Sequence, residues 1–202
     1  NSVSSQNFSD YELLLVNDGS LDATLSLVEE WRDQNAHIAM LIINQGNEGL
    51  GAARNKAIKA AKGQFCALLD ADDYWDSNKL ASCYSFLNKS PECDVLYHEV
   101  LNVGLNGEKK RNVFALSSAS DLMLKGCPIV PSATILCTET AQVFPFSTEA
   151  KFHGSEDLYL WLELLAAGKS FYFWPEAISY YQETGGMSSR IDEHLKKVEN
   201  VY

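Results

Sequence analysis

The chain has 202 residues, 46% of them hydrophobic and 21% charged, a composition and length that suit one globular domain and exclude general disorder. Sixteen Lys and Arg stand against 27 Asp and Glu, a formal charge of -11, and a surface that acidic repels nucleic acid. No apolar run approaches the ~18 residues of a membrane span, so no transmembrane segment is read.

The chain starts at Asn1 without Met or a signal peptide, and its first residues run straight toward a strand. The apolar run at 12–16 ends at Asn17-Asp18-Gly19-Ser20 and predicts a buried strand and a turn. Leu25, Val28 and Trp31 recur at helical spacing over 23–34. A second strand is expected over 37–43 and a polar loop over 44–49. An Ala- and Lys-rich helix over 51–62 ends at Gly63, read as a left-handed cap. A third strand over 65–69 runs into Asp70-Ala71-Asp72-Asp73. This alternation is the rhythm of a parallel α/β sheet, whose ligands bind beyond the carboxyl ends of the strands.

The second half is less regular. A helix is expected over 79–88, and strands over 95–103 and 111–115 flank the hairpin signal Asn106-Gly107. Further strands are expected over 132–137, 171–174 and 178–181, and a helix over 156–167 stopped by Gly168. A Gly/Ser loop over 184–189 and a polar helix over 191–202 close the chain. With no internal repeat or linker, 1–202 reads as a single domain with two halves, about 1–75 and about 76–202.

Three carboxylates crowd the loop at Asp70, Asp72 and Asp73. Like charges so close raise one another's pKa unless a positive group sits among them, and Mg²⁺ or Mn²⁺ suits carboxylate oxygens. A solvated turn with helix-capping Asp residues explains the loop equally well. Asp18 is explained by an Asx turn, yet two acidic turns at adjacent strand ends share one edge. Gly46, Gly49 and Gly51 match neither a dinucleotide fingerprint nor a P-loop. Arg54, in the first turn of its helix, suits a phosphate, a carboxylate or a structural ion pair. Glu156-Asp157 opens a helix, where acidic residues complement the dipole; as an alternative, a carboxylate there is a general base. His37, His98, His153 and His194 are dispersed, and only His153 is near a candidate site. Cys66, Cys83, Cys93, Cys127 and Cys137 have neither zinc nor disulfide spacing and read as reduced thiols.

In order along the chain, these motifs resemble the family 2 inverting glycosyltransferases. Ser5 to Glu12 is similar to the family's S-x-Q-x-x-x-x-E, and Val16-Asn17-Asp18-Gly19-Ser20 to its V-D-D-G-S. Asn44 through Arg54-Asn55 resembles N-x-G-x-x-x-A-R-N, and Gly63 through Asp73 resembles G-x-(Y/F)-x-x-x-L-D-x-D-D. Glu156-Asp157 with Leu158 and Trp161 resembles E-D-x-x-L-W. Two positions depart from the pattern: Asn17 replaces an Asp, and Tyr181-Gln182-Glu183-Thr184 stands where many relatives have Y-R-x-H. The chain also reads as beginning after the family's first strand.

The resemblance implies a three-layer, Rossmann-like GT-A fold of the α/β class with a mixed, mainly parallel central sheet. It implies a nucleotide-binding half and an acceptor-binding half. It implies transfer of a sugar from a nucleoside-diphosphate donor, a UDP-sugar, to a glycan or lipid-linked acceptor. Asp18 and Gly19 would meet the base, Arg54 the nucleotide, and Asp70 and Ala71 the ribose. Asp72, with Asp70, would hold a divalent metal, Mn²⁺ or Mg²⁺, and Asp157 would deprotonate the acceptor, flanked by Glu156. The implied setting is bacterial polysaccharide assembly, in the cytoplasm with peripheral contact at the inner face of the membrane. Alternatives are an inactive sugar-nucleotide binder and a Mg²⁺-dependent phosphotransferase, against which Asp73-Tyr74 after D-x-D counts.

Overall fold

The computed structural model describes residues 1–105 and 107–182. The expected loop over 184–189, the helix over 191–202, His194 and Asn106 lie outside the described residues. The first half alternates as its sequence predicts: β1 (Glu12–Asp18), α1 (Thr24–Gln34), β2 (Ala39–Gln45), α2 (Leu50–Ala60) and β3 (Phe65–Ala67). The run of Leu residues in β1 pairs in parallel with β2, from Glu12 opposite Ala39 to Asp18 opposite Gln45. That register brings both polar strand ends, and the loops that follow them, to one edge.

The Gly63 expectation is corrected. Gly63 does not take a positive φ. Instead the Glu12 carboxylate accepts the amides of Lys62 (2.6 Å) and Gly63 (3.1 Å), so the chain leaves α2 in an extended form at Ala61. Gly168, at φ 72°, does cap its helix, α6 (Glu156–Ala166).

The second half builds a larger sheet. Its strands are β4 (Tyr74–Trp75), β5 (Val95–Gly104), β6 (Gly107–Lys110), β7 (Thr134–Cys137) and β8 (Phe171–Gln182). Together with β3 they run in the order β3-β7-β5-β8-β4, with β6 on β5. The pairing is mixed. The parallel β1–β2 and β5–β8 ladders are long, and the antiparallel β3–β7, β5–β7, β5–β6 and β4–β8 ladders are short.

Two expected strands, 171–174 and 178–181, are one strand. Pro175 has no amide to donate, and the ladder to β5 shifts register there, between His98 and Val100. The strand expected over 111–115 does not form. β7 already holds that edge of β5 at Val95, Leu96 and Tyr97. After Arg111 the segment is held instead by Tyr97, whose hydroxyl donates to the Phe114 carbonyl (3.0 Å) and accepts from the Leu116 amide (2.8 Å). Two short helices were not read from sequence, α4 (Ala119–Lys125) and α5 (Thr138–Val143); α3 (Lys79–Leu87) was.

The alternation of β5 makes the layers. Val95 and Tyr97 face a core with Leu158, Trp161 and Leu164 of α6, while Leu96 faces Cys83 and Leu87 of α3. The sheet is thus covered on both faces, and Trp161, fully buried, meets Phe146 and Phe171 edge-on.

Candidate active site

Asp18 ends β1 and closes the loop after β2. Its Oδ1 accepts Gln45 Nε2 (2.7 Å) and the Glu48 amide (2.8 Å), and Oδ2 accepts the Gly49 amide (3.0 Å). Burial pushes its carboxyl up, but those three donors and the Lys56 charge outweigh it and hold it below its ordinary value. Gly19 has φ 78°, and a Cβ there would lie 2.8 Å from the Asn47 amide nitrogen, so the turn needs glycine. The exposed His153 ring faces the same loop: a Cβ on Gly49 would come 3.3 Å from its Nε2.

Arg54 lies on α2, buried, with its guanidinium over the Phe146 ring. Nη2 reaches Asp70 Oδ1 at 2.7 Å, and Nη1 reaches Glu156 Oε1 at 3.5 Å. Burial opposes its charge, but Asp70, Asp157 and Glu156 more than compensate and push its pKa above the ordinary value. One cation therefore joins the loop after β3 to the start of α6. The neighbouring Asn55 fixes this arrangement, donating to the Phe146 carbonyl and accepting its amide, both at 2.8 Å. Gly51 allows the approach, since a Cβ there would meet the Ser147 carbonyl oxygen at 2.4 Å.

The three carboxylates of the 70–73 loop have different fates. Asp70 is paired with Arg54, and its amide donates to Ser132 Oγ (3.0 Å). Asp73 is buried and accepts the Gln182 amide (3.0 Å). Burial first, then Asp72 and Asp70, push its carboxyl up against Ser132 and that amide. Ala71 and Asp72 are exposed at the tip, and no hydrogen bond or ion pair engages the Asp72 carboxylate among the described residues. Among those residues no group of three or more His, Cys, Asp or Glu is arranged to hold a metal.

The two acids of α6 are also distinct. Glu156 is buried and spent: Oε2 accepts the Gly154 amide (2.5 Å) and Oε1 faces Arg54. Asp157 keeps partial solvent access although protein surrounds it closely. Burial, with help from Glu156 and Asp70, pushes its carboxyl above the ordinary value against Arg54 and the Leu158 amide. A partly accessible carboxylate with a raised pKa is what proton abstraction near neutrality calls for.

The structure thus brings Asp70, Arg54, Glu156 and Asp157 into one electrostatic cluster, with Ala71 and Asp72 at the tip of the same loop. Asp18 and Gly19 shape a separate loop on the strand-end edge. Sequence reasoning missed Asn55, Ser132 and Lys79. Asn55 directly follows Arg54 in a motif already noticed, but nothing local marks Ser132 or Lys79. Lys79 is fully buried; its Nζ donates to the Ser132 carbonyl (2.6 Å) and Ser179 Oγ (3.0 Å). Burial lowers its pKa to about 7. His98 is a satisfied core histidine between the Glu99 carbonyl and Ser179.

Residues 1–132 match the family model for Glycosyl transferase family 2. UDP-Glc:alpha-D-GlcNAc-diphosphoundecaprenol beta-1,3-glucosyltransferase WfgD of Escherichia coli is 32% identical over 164 residues, 81% of this chain and 62% of that protein. WfaP of Escherichia coli, which carries the same enzyme name, is 28% identical over 99% of this chain and 77% of its own length. The chain therefore spans about three fifths of the first of these relatives. Among solved structures, S. aureus TarS 1-349 in complex with UDP-GlcNAc superimposes with a TM-score of 0.76 at 22% identity, over 99% of this chain and 59% of that one. The mannosyltransferase PcManGT from Pyrobaculum calidifontis, in complex with GDP-Man and Mn²⁺, gives 0.70 at 16% identity, over 98% and 55%. At such identities the likeness shows the fold, GT-A.

Proposed function

Because this chain belongs to glycosyl transferase family 2, we propose that it moves a sugar from a UDP-sugar to a hydroxyl of a lipid-linked glycan acceptor, with inversion and a divalent cation. The observation that carries this reading is Arg54, which draws the 70–73 loop and the Glu156-Asp157 helix start into one site. WfgD and WfaP are named as UDP-glucose enzymes acting on a diphosphoundecaprenol-linked sugar, and this supports the donor and acceptor classes.

The roles divide by chemistry. Asp157 takes the proton of the acceptor hydroxyl as it attacks the anomeric carbon, and a single displacement inverts that centre. Glu156 stays bound to Arg54 and the Gly154 amide, and it fixes the helix start rather than moving a proton. Asp18 and Gly19 shape the loop assigned to the nucleotide base, and Asp70 and Ala71 the turn assigned to the ribose. Mn²⁺ or Mg²⁺ fits the donor set: Asp72 is exposed and uncommitted, and Asp70 Oδ2 faces no ion-pair partner among the described residues. So few protein oxygens suit a cation that completes its shell with phosphate and water. When bound, it would neutralise charge gathering on the departing diphosphate. A phosphotransferase is disfavoured by Asp73-Tyr74, which directly follows Asp70-Ala71-Asp72.

Residues 1–75 and 76–202 are assigned as donor and acceptor halves of one domain. A lipid-linked acceptor implies work at the inner face of a membrane by peripheral contact; among the described residues no helix is long and apolar enough to cross one.

The test is calorimetric titration of UDP with and without Mn²⁺, repeated on Asp72→Ala. Mn²⁺-dependent binding that disappears in the variant is expected. Binding indifferent to Mn²⁺, or unchanged in Asp72→Ala, would overturn the metal assignment, and silence with every nucleoside diphosphate would end the transferase reading.

A further inference from the structure

Lys79 is a buried amine that the mechanism above does not use. It has no carboxylate within ion-pair distance among the described residues and 0% exposure. A polar group so placed stabilises a fold less than an apolar side chain of its volume would. Its contacts are specific. Nζ donates to the Ser132 carbonyl and to Ser179 Oγ, and it lies 4.1 Å from the centre of the Trp75 ring. The same Ser132 carbonyl also accepts Trp75 Nε1 (2.8 Å) and Ser179 Oγ (2.9 Å).

Ser132 lies in a buried 3-10 turn, Pro131–Ala133, and works in two directions. Its carbonyl gathers Lys79, Trp75 and Ser179, while its side-chain oxygen accepts the Asp70 amide. Asp70 is where the chain enters the acidic loop. Trp75, in register with Ser179 on β8, is where the chain leaves it. The entrance and exit of the loop therefore meet at one node, and Lys79 is the only basic side chain in it among the described residues. Arg54 restrains the loop through a carboxylate; Lys79 restrains it through the backbone.

We propose that Lys79 is a positioning residue for the reaction: through Ser132 it clamps both ends of the 70–73 loop, so that Asp72 is held ready to take the divalent cation. The proposal rests on the metal assignment made above. It predicts an effect on metal affinity that leaves the nucleotide-base side of the site untouched, since Asp18 and its loop belong to the other sheet.

The experiment measures Mn²⁺ affinity at saturating UDP, by electron paramagnetic resonance of free Mn²⁺, in the wild type, Lys79→Met and Ser132→Ala. UDP affinity without metal and the thermal transition are recorded for each. Lys79→Met keeps volume and removes the amine that donates to the Ser132 carbonyl. Ser132→Ala keeps the carbonyl and its three donors but releases the Asp70 amide and the Asp73 carboxyl. Both variants are expected to fold and to lose Mn²⁺ affinity by about 10–100-fold, as supporting partners of metal ligands do, with a smaller loss of metal-free UDP affinity, since the same loop carries the turn assigned to the ribose. A folded variant of either kind with wild-type Mn²⁺ affinity would overturn the proposal, and so would equal losses of metal-free UDP affinity. If Lys79→Met does not fold, Ser132→Ala decides alone. Failure of the underlying metal reading shows separately, in a wild type that takes up no Mn²⁺ with UDP, and it removes this proposal as well.

Discussion

The two halves of the chain solve opposite problems. Up to β3 the molecule is motif-rich and thinly packed: α1 buries no residue, and of β1 only Asn17 is buried. Beyond it the molecule is densely packed, with Val95, Leu96, Leu136, Trp161 and Leu164 at 0% exposure. The recognisable chemistry is concentrated where the core is weakest. A polar loop at a strand end needs only a turn and a few amides to hold its shape, as Asp18 shows. A carboxyl with a raised pKa, such as the base proposed at Asp157, needs surrounding protein, and Asp157 finds it on the helix that carries Trp161.

That contrast is testable in order of effect. Asp157→Asn should lower turnover by ~10²–10⁴-fold, the range of a lost general base. Because the base must be deprotonated and its pKa is raised, wild-type kcat/KM should climb with pH through a limb above the ordinary carboxylate range. A limb that persists unchanged in Asp157→Asn would assign the base elsewhere. Trp161→Ala should cost about 3–5 kcal/mol in denaturant unfolding; a loss below ~1 kcal/mol would contradict the packing ascribed to the second half.

Asp18→Asn tests the other half. The folded carboxyl lies below its ordinary value, so its stabilisation is fully present above the unfolded pKa and fades as pH falls through the folded one. The stability gap between wild type and variant should therefore be open at neutral pH and close in acid. A gap constant with pH would mean that shape, not charge, holds the loop. Smallest of all, Leu27→Ala on α1, where Leu27 is 63% exposed, should change stability by no more than ~0.5 kcal/mol. A loss comparable to that of Trp161→Ala would erase the contrast.

How much was legible follows the same division. β1, α1, β2 and α2 were readable because each is a local pattern closed by a local turn, and the acidic loop announces itself by composition. The partners of those carboxylates were not. Arg54 stands 16 positions from Asp70 and about a hundred from Glu156, and no periodicity links them. The Ser132 node joins α3, a 3-10 turn and β8, each unremarkable alone. Strand continuity across Pro175 was missed because a proline looks like an end, although a bulge absorbs it. The absent strand at 111–115 failed for lack of an open edge, a property of β7 and β5 that the segment itself does not encode.

Arg54 also bears on where the chain divides. A cut near residue 75, between the two proposed halves, looks natural on a diagram. It would leave Arg54 and Asp70 in one fragment and strand Glu156 and Asp157 in the other without their cation. The same cut would take β4 from β8, and Ile58 and Leu68 from the core they share with Leu136 and Trp161. Co-expressed pieces should recover one another or fail together. For anyone grafting a new second half onto this first half, the joint to preserve is not a linker but a guanidinium, and the transplanted helix must bring its own acid to meet it.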